Sequence, residues 1–368
     1  MGRKAVLFVL AFLGIPCEPP VQDLSVELLW EIGGIDGPPE VMWQRIVHGT
    51  ILGNSVYIVD VLAPSVRQFT LDGDFVTDLG RAGEGPGEFF RPWFVAAHGD
   101  SVGVYDSGLR RWSFFSSLGE HLSTLTLPHP RGPYTNLEKP LPPGIGPHVA
   151  LTGGAYDEGT RIPKAAIVWT EPTLVDTLAV FRSGTVDHLW AVDGRWHYFP
   201  WNIGDSGTLE ALGDSLFVVV DGMASRATVY ARTEDGVVAR SSYELPGRPR
   251  QITGAEVKAI TRQFQTYPGV DRRDEVGIPD TIPAWTKARA SDPGTVWLKR
   301  GGFGGLFDGS ERWVRWSLRD GSFTEVSFPD GVQCLDFEGD FALGLRQGEF
   351  DEQYIQLLRI KENGTYAP

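Results

Sequence analysis

Hydrophobic and polar positions along the chain follow one short pattern that occurs six times. A Gly or Pro turn residue is followed by one or two polar residues and then by an apolar run that often ends on Asp. The clearest copies are Gly53–Asp60, Gly99–Asp106 and Gly213–Asp221, and weaker copies begin at Gly146, Pro293 and Gly339. Short apolar runs bounded by turn residues are typical of β-strands. The pattern therefore predicts an all-β chain with many short strands.

The spacing of the six copies predicts how the strands are grouped. The fifth positions of the copies are Tyr57, Gly103, Ala150, Phe217, Trp297 and Leu343, which lie 46, 47, 67, 80 and 46 residues apart. Three of these spacings are close to the ~40 to 50 residues of one four-stranded propeller blade, and the other two are that length with an insertion. The repeat therefore predicts a six-bladed β-propeller.

Strand-like segments at the two ends of the chain predict how the ring closes. Leu24–Ile32 precedes the first copy, and Tyr354–Lys361 follows the last. A circular array leaves an exposed sheet edge unless its first and last elements share a blade. We therefore expect the N-terminal strand to pair with the C-terminal strands in the sixth blade.

The first twenty residues have the features of an export signal. A basic start, Met1–Lys4, is followed by the apolar segment Ala5–Ile15, which is too short to span a bilayer as a helix. We predict a signal peptide over residues 1–20, an extracytoplasmic location, and one propeller domain over residues 21–368. Cys17 is a candidate lipidation site, although Gly14 and Pro16 are not the residues usually found before a lipidated Cys. Such an anchor would be the chain's only contact with a membrane.

The longest insertion, about residues 246–292, contains the one predicted helix. Thr253 and Glu256 form a capping box, in which an N-cap hydroxyl and a carboxylate three residues later satisfy the first backbone N–H groups. Apolar residues then follow at helical spacing, namely Val257, Ile260 and Phe264. The sequence predicts one short helix between the fourth and fifth copies.

Composition narrows the range of partners. The chain has 45 Gly and 26 Pro among 368 residues, as expected for many strands joined by tight turns, and 42% hydrophobic residues, enough for a packed core. Its formal net charge is −14. An acidic surface repels a phosphate backbone, so nucleic acid is not expected as a partner.

Several segments resemble a known family. The segments Gly53–Asp60, Val66–Phe69, Asp72–Phe75 and Gly80–Pro92 resemble the NHL repeat. Over roughly residues 24–361 the chain resembles exported six-bladed β-propellers of bacteria, many of them lipoprotein-like. The matching pieces are Leu28–Ile32, Gly83–Phe89, Ile282–Ala284 and Asp351–Leu357. The resemblance implies the fold and export, and no particular activity, because that family has no general assigned function.

Candidate metal ligands are few at the equivalent positions of the repeats. Five places before each turn residue stand His48, Phe94, Leu141, Thr208, Ala288 and Cys334. Only His48 and Cys334 can bind a transition metal, and two ligands do not make a site. No metal site or cofactor is therefore predicted, although calcium stays open because its oxygen ligands need no dense motif. Related propellers include metal-dependent lactonases and a lyase, so a divalent-metal hydrolase or lyase is the alternative function.

The candidate ligand contacts are His48 and the run Arg110, Arg111 and Trp112, which combines cations with an aromatic ring. Tryptophans such as Trp93, Trp112, Trp313 and Trp316 can stack on sugars or peptides, but at strand spacing they more often fill the space between blades. The aspartates that close the apolar runs are expected to cap the turns that follow. Taken together, the sequence favours an exported module that binds a protein, peptide or glycan.

Overall fold

The computed structural model describes residues 22–130, 136–153, 156–157, 160–161, 164–171, 174–181, 185–192, 195–202, 207–258, 280–302 and 309–362. The predicted signal peptide, Cys17 and the second half of the predicted helix lie outside these residues. Among the described residues, no helical segment has the length and hydrophobicity of a membrane-spanning helix. Division of the chain into a signal and a single domain therefore stays a prediction.

The described chain is almost entirely β-structure. The strands of its first half are β1 (Gln22–Gly33), β2 (Ile46–Leu52), β3 (Ser55–Asp60), β4 (Ser65–Thr70), β5 (Phe75–Leu79), β6 (Arg81–Ala82), β7 (Glu88–Phe89), β8 (Pro92–His98), β9 (Ser101–Asp106), β10 (Arg111–Phe115), β11 (His121–Thr126), β12 (Asn136–Pro140), β13 (His148–Gly153), β14 (Tyr156–Asp157), β15 (Thr160–Arg161), β16 (Lys164–Glu171) and β17 (Leu174–Phe181). The strands of its second half are β18 (Thr185–Val192), β19 (Arg195–Asn202), β20 (Gly207–Ala211), β21 (Leu216–Asp221), β22 (Arg226–Thr233), β23 (Gly236–Glu244), β24 (Arg250–Gln251), β25 (Thr281–Ile282), β26 (Trp285–Asp292), β27 (Thr295–Arg300), β28 (Arg312–Ser317), β29 (Phe323–Ser327), β30 (Val332–Glu338), β31 (Phe341–Gln347) and β32 (Gln353–Glu362). One 3₁₀ turn covers Pro39–Val41.

Half of these strands form four antiparallel four-stranded sheets. Their strand orders are β2-β3-β4-β5, β8-β9-β10-β11, β12-β13-β16-β17 and β20-β21-β22-β23. The first strands of the sheets face one another: β2 lies against β8 and β30, and β26 lies against β20 and β30. Sheets arranged with their first strands inward have the architecture of a β-propeller. The predicted all-β propeller class is confirmed at this level.

A fifth sheet of eight strands joins the two ends of the chain. Its order is β26-β27-β28-β29-β1-β32-β31-β30. β1 pairs antiparallel with β32, from Leu24 opposite Glu362 to Gly33 opposite Tyr354. The other edge of β1 pairs in parallel with β29 over three residues. The expected pairing of the N-terminal strand with the C-terminal strand is therefore present, and backbone hydrogen bonds rather than a covalent link join the ends.

Aromatic side chains fill the spaces between the sheets. Among the residues whose burial is described, six tryptophans are fully buried: Trp112, Trp169, Trp285, Trp297, Trp313 and Trp316. The rings of Trp297 and Phe337 stack with centroids 4.2 Å apart and join the two halves of the eight-stranded sheet. Trp112, Trp313 and Trp316 therefore serve as packing residues, and the alternative that they stack on an external ligand is wrong.

The aspartates that end three of the apolar runs cap the turns that follow them. Asp221 accepts hydrogen bonds from the backbone N–H groups of Met223 and Ala224, at 3.0 and 2.9 Å. Asp106 accepts hydrogen bonds from the N–H of Leu109 and also from the connector before its own sheet. Asp60 is bonded in the same way. The predicted structural role of these carboxylates is confirmed.

The insertion begins as the sequence predicts and ends earlier. Thr253 N donates to Glu256 Oε2 at 2.8 Å, and Glu256 N donates to Thr253 Oγ1 at 3.2 Å, which completes the capping box. The helix is described over residues 254–258. Residues 285–292, which the prediction placed in the insertion, form β26, the first strand of the next sheet. The buried Trp285 therefore belongs to that sheet and not to the insertion.

Candidate functional site

A cavity of about 220 Å³ lies where the first strands meet. Each of these strands contributes at least one large side chain to the lining, and these include His48 from β2, Phe94 from β8, Lys139 from β12, Glu210 from β20, Arg289 from β26 and Asp336 from β30. The volume exceeds the roughly 150 Å³ of a cavity that accommodates benzene. The cavity therefore has room for a small organic molecule.

The cavity extends to the turns between the first and second strands. Its lining includes Asp214, Asp292 and Pro293 from these turns, and Glu338 from the end of β30. The distance of a lining residue from the turns can be read from the residue of the second strand with which it pairs. The pairs, from the turns inward, are Glu338 with Phe341, Asp336 with Leu343, Lys139 with Leu151 and His48 with Val59. Acidic side chains therefore lie nearer the turns, and Lys139 and His48 lie deeper.

One carboxylate in the cavity is shared by two cations. Lys139 Nζ and Arg289 Nη1 both donate to Glu210 Oε1, the second at 3.0 Å. The three side chains are almost buried. Burial, reinforced by the charge of Arg289, lowers the pKa of Lys139 to about 8 despite the opposing effect of Glu210. The group carries one more positive than negative charge in a largely dry environment.

His48 is buried beside this group without a hydrogen bond to satisfy it. Its side chain lies against Phe94, with ring centroids 4.2 Å apart, and its Nδ1 has no partner among the described residues. Burial and the charges of Arg289, Lys139 and Lys287 hold the pKa of His48 well below its usual value. The ring is therefore neutral near pH 7, with one nitrogen that donates and one that accepts.

Two carboxylates lie on the acidic side of the cavity, and of these Asp336 accepts hydrogen bonds from described residues and Glu338 accepts none. Asp336 accepts a hydrogen bond of 2.5 Å from Thr50 Oγ1 and one of 3.1 Å from Ile51 N, and burial raises its pKa to about 6. Burial, together with the negative charges of Asp336 and Asp292, raises the pKa of Glu338 to about 7. In the described part of the chain, no group donates a hydrogen bond to Glu338. A carboxylate with a raised pKa in a cleft is a candidate for ligand contact.

The predicted contact residues are divided between this cavity and packing roles. His48 lies in the cavity. Arg111 donates from Nη2 to the carbonyl oxygens of Gly85 and Glu88, so it holds the glycine-rich connector. Trp112 has no exposed surface, and Arg110 is exposed in a turn with φ of 50°. The predicted Arg110–Arg111–Trp112 contact surface is therefore not formed, because Trp112 is buried and the guanidinium of Arg111, although partly exposed, is bonded to the connector.

Four cavity residues were missed from sequence, and a bulge explains one of the misses. Counting five places back from each turn selects Leu141, Thr208, Ala288 and Cys334, whereas the cavity is lined by residues one or two places away: Lys139, Glu210, Arg289 and Asp336. The pairing register shifts between Cys334 and Asp336, and an extra residue in one strand moves the side chains before it relative to the turn. The strand of Thr208 and Glu210 pairs without a shift, so there the distance from the turn to the cavity position differs for another reason. A charged residue near the counted position is the signal that could have found them.

The described side chains of this cavity offer few free ligands to a metal ion. Within the described ranges, no group of three or more His, Cys, Asp or Glu side chains is arranged to hold a metal ion. The central carboxylate, Glu210, is already engaged by Lys139 and Arg289. Cys334 is buried at a neighbouring position, with its N–H bonded to Glu311. The arrangement is suited to binding polar groups by hydrogen bonds and charge.

Comparisons with known proteins address the fold and leave the activity open. No protein-family model and no curated protein sequence matches this chain. A crystal structure of a DUF4221 family member from Bacteroides vulgatus is similar with a TM-score of 0.50 and 9% identity, over 93% of this chain and 99% of that one. At such low identity this likeness shows the fold alone.

Two further solved structures are less similar. A candidate exported protein from Bacteroides fragilis has a TM-score of 0.49 and 11% identity, over 92% of this chain and 99% of that one. Streptogramin B lyase has a TM-score of 0.38 and 10% identity, over 92% and 98% of the two chains. Neither likeness is close enough to transfer a property to this chain. The NHL-repeat and lipoprotein resemblances receive no support from these comparisons.

Proposed function

We propose that this chain is an exported six-bladed β-propeller that binds a small organic anion in its central cavity. The observation that carries the proposal is the pairing of two buried cations, Lys139 and Arg289, with the single carboxylate of Glu210. The binding role is the one the sequence favours. The ligand is now a small molecule rather than a protein, peptide or glycan, because the cavity is small and the predicted outer contact surface is not formed.

Division of the eight-stranded sheet supports the blade count. The strand pairing between its halves, β26–β29 and β30–β32 with β1, consists of three parallel residue pairs between β29 and β1. Each half has four strands in antiparallel order, like the other four sheets. Counting the halves separately makes six blades, one for each copy of the sequence repeat.

Export is supported by the N-terminal sequence. Residues 1–20 combine a basic start with an apolar segment of the length found in signal peptides. Lipidation at Cys17 and membership of the NHL-like exported propellers remain parts of the proposal that rest on sequence resemblance alone.

Electrostatics favours an anion in the deep part of the cavity. Removing a charge from water is costly unless opposite charges and hydrogen bonds compensate for it. Here Lys139 and Arg289 donate to only one carboxylate, Glu210, while the second buried carboxylate, Asp336, acts on them through its charge and accepts its hydrogen bonds from Thr50 and Ile51. The lowered pKa of Lys139 and His48 reports the cost of burial. A ligand carboxylate would give the two cations a second hydrogen-bonded acceptor and would accept a hydrogen bond from the neutral ring of His48.

The alternative of a metal-dependent hydrolase or lyase is less well supported. Such sites collect three or more carboxylate or imidazole ligands with an open coordination position. In this cavity Glu210 is bonded to cations, and Asp336 already accepts two hydrogen bonds. We therefore do not route a reaction through the cavity.

The test is calorimetric titration of the exported form of the chain with butanoate, inorganic phosphate and butanamide. Butanamide has nearly the shape of butanoate and no charge, so we expect butanoate to bind at least about tenfold more tightly. Lys139→Met should abolish binding of butanoate. Lys361→Met is the matched control, because Lys361 forms only an exposed pair with Glu27. Failure of both anions to bind, or equal binding of butanamide, would overturn the proposal.

A further inference from the structure

The geometry points to a ligand that carries an amino group as well as a carboxylate, such as a small amino acid. We infer that Glu338, with Asp336 beside it, forms the subsite for the amino group at the end of the cavity near the turns. This inference rests on the proposed binding of an anion at Lys139 and Arg289, and it adds the second half of the ligand.

The two ends of the cavity have opposite character. Lys139 pairs with a second-strand residue five places after the turn glycine, and Glu338 pairs with one two places after it. At ~3.3 Å per residue along a strand, these positions differ in depth by roughly 10 Å. Both side chains line the same cavity. A compact molecule with separated charges can therefore contact both.

A bound cation would offset the electrostatic cost of ionising Glu338. Its pKa is raised by burial and by the negative charges of Asp336 and Asp292. Arg232, a cation that lines the same cavity, donates to the carbonyl oxygen of Pro142 and interacts with the charge of Asp214. An ammonium group bound beside Glu338 would offset the repulsion among the carboxylates and supply the missing hydrogen-bond donor.

A second observation shows that this cavity is incomplete without a ligand. The His48 side chain is only 8% exposed, lines the same cavity, and leaves its Nδ1 without a hydrogen bond among the described residues. An unsatisfied buried polar atom is costly. It lies at the deep end, beside the cations, where the carboxylate of the ligand would be placed.

An ammonium group fits the acidic end better than a metal ion does. The described carboxylates do not converge into a group that could hold a metal. An ammonium group needs only separate acceptors for its three N–H donors, and it tolerates a loose arrangement. Asp336 and Glu338 are two residues apart on β30 and provide acceptors at successive depths.

The test compares ligands that share a four-carbon chain. Butanoate, 2-aminobutanoate, 4-aminobutanoate and butylamine are titrated into the exported form of the chain by calorimetry. We expect at least one aminobutanoate to bind tenfold or more tightly than butanoate. Glu338→Gln should reduce that ratio to about one while butanoate affinity changes less than about twofold. Glu349→Gln, at an exposed position away from the cavity, is the control and should leave the ratio unchanged.

The outcomes separate this inference from the proposed function. If butanoate binds as tightly as both aminobutanoates, the amino subsite is overturned and anion binding stands. If the preference persists in Glu338→Gln, the assignment to Glu338 is overturned. If neither butanoate nor an aminobutanoate binds, or if butylamine alone binds, the proposed anion site itself fails. The melting temperature of Glu338→Gln at pH 8 checks folding, and we expect it to be no lower than that of the parent.

Discussion

Thr50 and Asp336 are 286 residues apart in the chain, and the hydroxyl of Thr50 donates a hydrogen bond of 2.5 Å to Oδ2 of Asp336. The bond joins β2, near the start of the chain, to β30, near its end. It lies inside the cavity, where it also orients a carboxylate whose pKa is raised to about 6 by burial. The same hydrogen bond therefore links the first strands of two sheets and orients a carboxylate of the proposed site.

Replacement of this hydroxyl should be more costly at high pH than at low pH. Above about pH 6 Asp336 is ionised, and a hydrogen bond to a buried charge contributes about 1.5 to 3 kcal/mol. Below that pH the acid is neutral, and the bond contributes about 1 kcal/mol. We expect Thr50→Val to reduce the free energy of unfolding more at pH 8 than at pH 5, measured by urea denaturation. Thr126→Val, at an exposed position on β11, should have little effect at either pH.

Removal of the Glu338 charge should stabilise the protein in a defined pH range. The folded-state pKa is about 7 and the ordinary value is 4.5, so the folded protein holds this proton more tightly than the unfolded chain does. The carboxylate therefore costs nothing below pH 4.5, and its cost grows until pH 7. After allowance for solvent screening, Glu338→Gln should raise the free energy of unfolding by about 1 to 2 kcal/mol above pH 7. A difference that does not shrink toward pH 4.5 would contradict the assigned cause.

Two buried lysines should differ in their contribution to stability. Lys299 is the cation that donates a hydrogen bond to the buried Glu311, and its removal takes away that direct partner and leaves Lys287 as the cation whose charge favours the carboxylate. Lys139 shares Glu210 with Arg289, which remains after Lys139 is removed. Breaking a buried pair typically costs about 3 to 5 kcal/mol. We expect Lys299→Met to show a loss of that size and Lys139→Met a clearly smaller one, by urea denaturation at pH 7. Equal losses would show that Arg289 does not compensate for Lys139.

The N-terminal strand should contribute to stability through its inward side chains. Leu24 is 6% exposed and packs in the cluster around Trp297 and Trp313, whereas Leu28 on the same strand is 51% exposed. Leu24→Ala should reduce the free energy of unfolding by about 2 to 4 kcal/mol. Leu28→Ala is the matched control and should change it by less than about 0.5 kcal/mol. Similar small effects in both variants would mean that β1 is not part of the cooperative fold.

Local features of the fold could be predicted because they depend on nearby residues. The capping box at Thr253 and Glu256 and the turn caps at Asp106 and Asp221 each involve groups a few positions apart. Closure by β1 could also be inferred, because an unpaired strand at each end of a repeat array leaves few other partners.

The cavity could be predicted only in part. His48 was selected correctly because, in the first copy, the residue five places before the turn glycine Gly53 does line the cavity. In later copies this distance changes: a bulge lies between Cys334 and Asp336, and Lys139 stands seven places before its turn glycine, so Cys334 and Leu141 were selected instead. Trp112 was given a surface role because sequence alone does not show which face of a strand meets the next sheet.

The sequence by itself determined the β-strand repeat, the turns and the joining of the chain ends, because these follow from apolar patterning and from residues close in the chain. Only the tertiary structure decided that Lys139 and Arg289 share Glu210, and that Glu338 stands without a donor nearby. These residues come from four different strands, β12, β20, β26 and β30, which are far apart in the chain. Their charges therefore meet only when the first strands are packed around a common axis.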